Sequence, residues 1–425
     1  MEKLYKKLYL FVILGIFVGL LIGIFKKAIG LVASFMEEFL SKTSGNLTNS
    51  FLFILFLILI GLITFYILKK DKDTKGSGIP VIMGMMDGEF EVNSKKTIIN
   101  KFLASFLTIG SGLTVGREGP SVQLGGLAGD IVAEFDQTLE RKYFIGSAAA
   151  SGFAVAFNAP VAAIIFGVEE VFRKHDVKTF LTSATTTIAA TITSGLIFGD
   201  FPSLIEIPVF DNVSQARLWI ILILGIVTGL SGVLFNKLVI GAKSVYKKIP
   251  LPDLVKYLAP FVITGLALLV DPRLFGSGEE LIYLPAGGGE SLATLIYMYF
   301  AKILLLSLAF GMGLSGGSLV PLLAIGAILG NIYATALFDM GLIPAERIFA
   351  ISLIAMAGHF SAIVRTPIAA IILIVEMTGG AFSNILGLAL VSFIAYLVAE
   401  IFKSKPFYED LYERLLKTEK SYFKH

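Results

Sequence analysis

The 425-residue chain is 56% hydrophobic and 16% charged, with a mean hydropathy of +0.83, a balance that excludes an ordinary soluble enzyme and places the chain in a bilayer. Cysteine is absent, which rules out disulfides, thiolate metal sites and thiol nucleophiles. A net charge of +3 asks for no more than the usual lysine bias of cytoplasmic loops and gives no argument for nucleic acid.

Charge-free stretches run from Leu8 to Phe25, Phe51 to Leu68, Tyr143 to Val168, Thr179 to Gly199, Leu218 to Asn236, Ile303 to Phe338 and Met377 to Ala399. At about 1.5 Å per residue, a helix of about 18 residues or more crosses a hydrocarbon core, so the 36-residue stretch holds two or more helices. The fold class is an all-α polytopic membrane protein. The first apolar run lacks a small-residue cleavage site and continues past Lys26 and Lys27, so it reads as mature protein rather than signal peptide. Lys3, Lys6 and Lys7 precede the first run, and Lys69, Lys70, Lys72 and Lys75 follow the second, whereas Ser41 to Ser50 holds one lysine. The positive-inside tendency makes the amino terminus and the 69–75 loop cytoplasmic and puts 41–50 outside. The triplet Asn46-Leu47-Thr48 fits a glycosylation acceptor but is short enough to arise by chance.

Glu118 lies in Gly116-Arg117-Glu118-Gly119-Pro120, a glycine-rich break inside an otherwise apolar segment, and an ionisable group at that depth is costly unless it has a task. Gly110 to Pro120 is answered by Gly311 to Pro321, with five of eleven positions identical. Near the same offset Gly76-Ser77-Gly78 meets Gly276-Ser277-Gly278, Lys101 meets Lys302, and the run through Pro160 to Glu169 meets the run through Pro367 to Glu376. Matches in the same order make a duplication of roughly 200 residues. Duplicated halves with short, Gly/Pro-interrupted apolar segments are a transport-protein signature, with the substrate site at their interface. Whether the copies run parallel or inverted is open on this evidence.

Gly76 to Pro80, Gly116 to Pro120 and Gly316 to Pro321 each combine glycine with a proline suited to the first turn of a following helix. A helix starting there turns its unpaired N–H groups and positive dipole end toward the break. Three such ends make a dehydrated anion site without a buried base, so the chain reads as an anion conductor. Ser77 adds a hydroxyl donor. Glu118 supplies control: its carboxylate competes with an anion for one place, and protonation discharges it. Arg117 is adjacent, and pairing with Glu118 is its plainer role.

Glu169 and Glu170 end the apolar run before the basic loop Arg173, Lys174 and Lys178. Glu169 has a repeat partner in Glu376 and reads as architectural. Glu170 faces Met377 in the alignment and is the candidate proton-entry acid. Lys101 and Lys302 either raise the anion potential of a vestibule or snorkel at a helix end. His175, His359 and His425 form no zinc geometry, no nucleotide motif is present, and Ser77 has no nearby histidine to make it a hydrolase nucleophile. Neither enzyme activity nor a cofactor is expected.

These motifs resemble the ClC family of chloride channels and proton-coupled chloride transporters, over about residues 8 to 410. The resemblance implies inverted halves, a homodimer with one pore per subunit in the cell inner (plasma) membrane, and cytoplasmic termini. It divides a single membrane domain, 1–425, into repeats at 8–215 and 216–400 and a short tail at 401–425. It implies a chloride path lined by Ser77, Gly78, Ile79, Arg117, Glu118, Gly119, Ser318, Leu319, Val320 and Tyr408. Glu118 becomes the external gate and Glu170 the internal proton-transfer acid. Tyr408, by its residue context alone an interfacial aromatic past the last span, becomes the partner of Ser77 at the central anion. Serine in the first motif resembles chloride-preferring members rather than nitrate-preferring ones. Two positions depart from the family pattern: Leu319 stands where phenylalanine is usual, and Met83 where proton-coupled relatives often have an acid. Chloride/proton antiport is the expected function, with a passive or weakly coupled chloride channel as the alternative. No nucleotide-binding regulatory domain is expected after Tyr408.

Overall fold

The computed structural model describes residues 2–136, 138–199, 218–287, 289–379 and 384–422. They form helices throughout, and the only strand-like pairing among them is one antiparallel bridge between Gly116 and Gly317. In hydrocarbon each backbone N–H must be satisfied within the chain, and helices do this segment by segment. A short α1 (Glu2–Tyr5) leads into α2 (Leu8–Ser41), α3 (Leu47–Lys70), α4 (Ile79–Met86), α5 (Ser94–Gly110), α6 (Glu118–Ala133), α7 (Arg141–Phe157), α8 (Pro160–Phe166) and α9 (Val177–Phe198). The same order of long, short and broken helices then returns as α10 (Leu218–Lys248), α11 (Asp253–Val270), α12 (Glu279–Ile282), α13 (Leu292–Gly311), α14 (Leu319–Asp339), α15 (Ile348–Val364), α16 (Pro367–Met377) and α17 (Ile385–Ile401). A final α18 (Phe407–Tyr422) follows.

Eight of the described helices are long and apolar enough to cross a membrane. The stretch Ile303 to Phe338 divides as expected, into the end of α13 and most of α14, broken at Met312 to Ser318. At 34 residues, α2 exceeds the ~20 that span a bilayer, so it fits only with a tilt. Asn46 is accounted for locally: its side chain accepts from the Asn49 N–H and caps α3.

The halves pack alike. Helix α2 lies against α5, α7 and α9, as α10 lies against α13, α15 and α17, while α6 packs on α7 as α14 does on α15. Between halves, α3 meets α11, α8 meets α16 and α6 meets α14, each helix touching its own counterpart. The bonds across this seam are reciprocal. The Gly116 N–H donates to Gly317 O at 2.7 Å and the Gly317 N–H to Gly116 O at 2.6 Å; Gly76 N–H to Gly313 O (3.1 Å) is mirrored by Gly276 N–H to Gly112 O (2.8 Å). Like contacting like is the mark of a two-fold relation between the halves.

Glu169 and Glu376 complete the symmetry. The Glu376 carboxylate accepts from the N–H groups of Val161 and Ala162 at the start of α8, at 3.0 and 2.7 Å, and Glu169 accepts from the Ala369 N–H at the start of α16, at 3.0 Å. Each acid caps the opposite copy's helix at its positive end.

Lys101 and Lys302 overturn the snorkelling expectation. Both are fully buried. Lys101 Nζ donates to Thr74 O (3.1 Å) and Gly76 O (2.7 Å), and Lys302 Nζ to Leu274 O and Gly276 O, both at 2.8 Å. Backbone carbonyls freed by the breaks compete successfully with water at the helix end for these ammonium groups.

The α6–α7 contact requires glycine. A Cβ on Gly125 would stand 2.2 Å from Ala148 O, and one on Gly152 2.1 Å from Ser121 O, so the helices touch backbone to backbone. Gly125→Ala should lower stability by about 1–3 kcal/mol, the range for overpacking. Gly241→Ala, where the added methyl meets nothing within 4 Å, should leave the thermal transition of the detergent-purified protein in place.

Candidate functional site

Helices α4, α6 and α14 all begin at glycine-rich breaks and carry proline within their first turn. The Gly116–Gly317 bridge ties the last two starts together, and Gly316 N–H to Gly76 O (3.2 Å) draws in the loop before α4. Gly78 has φ +86°, which a side chain rarely adopts, and a Cβ there would meet Gln123 Oε1 at 2.0 Å. Gln123, fully buried on α6, reaches back to donate to Asp73 O at 2.7 Å. Sequence reading missed this residue, since a glutamine in a helical run carries no motif.

Ser77 is buried, and its Oγ accepts from the Ile79 N–H at 3.3 Å, leaving its own proton to donate. A Cβ on Gly119 would lie 2.8 Å from Ser77 O and 2.9 Å from its Oγ. The first turn of α6 therefore rests directly on Ser77.

The Glu118 side chain is 1% exposed and folds back over Gly116. Its Oε2 accepts from the Val320 N–H at 3.5 Å. The carboxylate of one half thus occupies the N-terminal end of α14 in the other half. The bond is long. Arg117 Nε is 4.0 Å from Glu118 Oε1, 3.3 Å from Ala156 O and therefore shared, while its Nη2 lies 3.4 Å from Glu279 Oε1. The guanidinium is no simple partner of Glu118. It lines a cavity of about 320 Å³ with Glu118, Lys26, Glu37, Glu279 and Glu280. Glu279 and Glu280 follow the second Gly-Ser-Gly where the first is followed by Ile79 and Pro80, and that break in the repeat was the available signal for them.

Tyr408 opens α18 and is fully buried, which overturns its reading as an interfacial aromatic. Its Oη lies 3.3 Å from Ser318 Oγ, beside the start of α14. Helix α18 packs on α4, α10 and α15, folding the chain's end back into the seam. Leu319 and Met83 are fully or almost fully buried.

Glu170 sits in a widened π turn, Gly167–Val171, that extends α8, whereas α16 runs as an unbroken α-helix through Glu376. Such turns recur at functional sites. Here it lets Glu169 reach α16 while Glu170, 7% exposed, makes no hydrogen bond or ion pair among the described residues. His359 is buried with Nδ1 2.8 Å from Leu322 O, a helix-packing role.

The geometry agrees with what similar proteins are. A family model described as voltage gated chloride channel matches residues 60–400. The chain belongs to this family, the ClC family. It is 33% identical over 429 aligned positions to the H(+)/Cl(-) exchange transporter ClcA of Vibrio campbellii, covering 97% of this chain and 90% of that protein. A slow cyanobacterial Cl-/H+ antiporter has a similar structure, with a TM-score of 0.90 at 26% identity, over 97% of this chain and 98% of that one. A CLC-type fluoride/proton antiporter shares the fold, with a TM-score of 0.80 at 24% identity over 96% and 98% of the two chains.

Lys302 offers a check on this frame. Lys302→Met would leave the carbonyls of Leu274 and Gly276 buried without their donor, which should cost about 1–3 kcal/mol. Faster amide exchange, concentrated at residues 274–278, would report it; exchange unchanged there would contradict the clamp.

Proposed function

We propose that this chain exchanges chloride for protons across a cell membrane. The observation that carries the reading is the seat of Glu118: a carboxylate on the Val320 N–H at the head of α14, where a dehydrated anion would be held. Two negative charges cannot share that place at low dielectric. Chloride enters when the carboxylate leaves, and protonation makes it leave, so each anion step is tied to a proton step. The exchange transporters among the relatives support this over a passive channel.

Ser77 and Tyr408 are the central hydroxyl donors in this reading. Backbone at Gly78, Ile79, Gly119, Ser318, Leu319 and Val320 supplies the remaining donors, and Arg117 faces the outer approach. Glu170, buried and without a hydrogen-bond partner, hands protons to Glu118 from the cytoplasmic side. Leu319 fills the barrier with an aliphatic side chain in place of an aromatic one, and Met83 leaves Glu170 without an acidic neighbour on α4. Both bear on the ratio of chloride to protons.

The assembly is a homodimer in the cell inner membrane with both termini cytoplasmic, following the lysine bias of the first loops. Residues 8–215 and 216–400 are its repeats and 401–425 its tail, with 200–217 and 423–425 outside the described residues. Each subunit holds a whole path, since Ser77, Glu118, Glu170 and Tyr408 all come from one chain. No cofactor or enzymatic step enters this scheme.

In reconstituted vesicles a chloride gradient alone should drive protons uphill, and chloride flux with no proton movement would sink the proposal. Glu118→Gln, which imitates the protonated acid, should end proton movement while chloride continues to flow. Glu170→Gln should do the same, and proton transport surviving it unchanged would remove the internal pathway. Glu279→Gln takes a negative charge from the outer cavity, so the external chloride concentration for half-maximal flux should fall about twofold. That effect should shrink at high ionic strength.

A further inference from the structure

Ser318 stands at the N-cap of α14, a position where serine ordinarily accepts from the N–H two or three residues on. Neither bond is made. The third helical residue is Pro321, which has no N–H, and the Val320 N–H is directed at Glu118 Oε2. The Ser318 hydroxyl makes no cap and turns instead to Tyr408 Oη, 3.3 Å away, with both residues fully buried.

Two hydroxyls carry two protons, and a bond between them uses one. Neither has another hydrogen-bond partner among the described residues. The second proton is a buried donor in want of an acceptor, a costly state unless something fills it. At 3.3 Å the mutual bond is longer than a settled O–H···O contact, so either proton can turn away. Whichever oxygen donates to the other, one O–H remains for a third party.

We propose that the Ser318 hydroxyl acts with Tyr408 as a shared donor to the central anion and sets its preference for chloride over larger, weakly hydrated anions. The inference rests on the chloride-exchange reading. A small anion gives up more hydration on entering a dry site and depends more on each hydroxyl that replaces water. A large polarizable anion depends less on it. The repeat alignment underlines the assignment: the position matching Ser318 in the first half is Arg117, whose guanidinium lines the outer cavity. One N-cap faces the approach, and the other faces the site.

The test is ion selectivity in reconstituted protein. Ser318→Ala should raise thiocyanate flux relative to chloride, and lower apparent chloride affinity, by about threefold to tenfold, the loss of roughly one net hydrogen bond. Ser318→Thr, which keeps a hydroxyl, should hold the wild-type ratio. Tyr408→Phe should shift the ratio in the same direction, and the double variant should go little beyond the larger single effect, because the pair acts as one unit. An unchanged ratio in Ser318→Ala, a Thr variant that behaves like Ala, or fully additive effects would overturn the proposal. If the alanine variant does not fold, Ser318→Cys preserves volume with a weak donor and should shift the ratio likewise. Failure of the two readings is separable: selective chloride binding without proton coupling removes the exchange reading, whereas intact exchange with unaltered selectivity removes this one.

Discussion

Backbone left unpaired at a break in a membrane helix has to find a partner inside the protein, and the whole molecule is arranged around that constraint. The partners come from the opposite half. Gly116 and Gly317 exchange two hydrogen bonds, Gly76 leans on Gly313 and Gly276 on Gly112. Because the exchange is mutual, both breaks are held open at the centre of the fold without either copy filling the other. Helix starts that would be a liability in lipid are instead gathered along this seam.

Symmetry supplies the frame, and departures from it supply the chemistry. Glu169 and Glu376 are equivalent and do equivalent work, each capping the other copy's helix. Glu118 has Leu319 as its counterpart and Glu170 has Met377. Only one of each pair can carry charge, and both acids, Glu118 and Glu170, stand in the first copy. Among the described residues, the π turn that carries Glu169 and Glu170 is likewise confined to the first copy. Tyr408 has no counterpart among the repeated helices, since α18 stands outside both sets.

Charge placement follows the same logic. Lys101 and Lys302 hold the carbonyls of the two Gly-Ser-Gly loops from behind, keeping their N–H groups turned toward the seam. The positive character at the site then comes from fixed backbone dipoles and hydroxyls. Such donors hold an anion without the tight ion pair that a lysine or arginine would form, which favours release as well as binding. Arg117 stays on the cavity side, divided among Glu118, Glu279 and the Ala156 carbonyl.

Composition, hydropathy and the repeated Gly/Pro cassettes determined the membrane class, the positions of the breaks and the singular character of Glu118. Those are properties of local order: apolar runs demand helices, and glycine followed by proline interrupts and restarts them. The absence of a repeat partner also marked Glu170 while it assigned Glu169 and Glu376 to the frame. What the sequence left open turned on where distant segments meet. The two-fold relation of the halves was decided by reciprocal bonds between Gly116 and Gly317. The snorkelling alternative for Lys101 and Lys302 failed because hydropathy cannot reveal a carbonyl waiting inside the fold. The residues around Tyr408 gave no hint of burial, which depends on α18 folding back against α4 and α14's start. The pairing of its hydroxyl with Ser318 joins positions far apart in the chain, and only tertiary packing could bring those two oxygens within 3.3 Å.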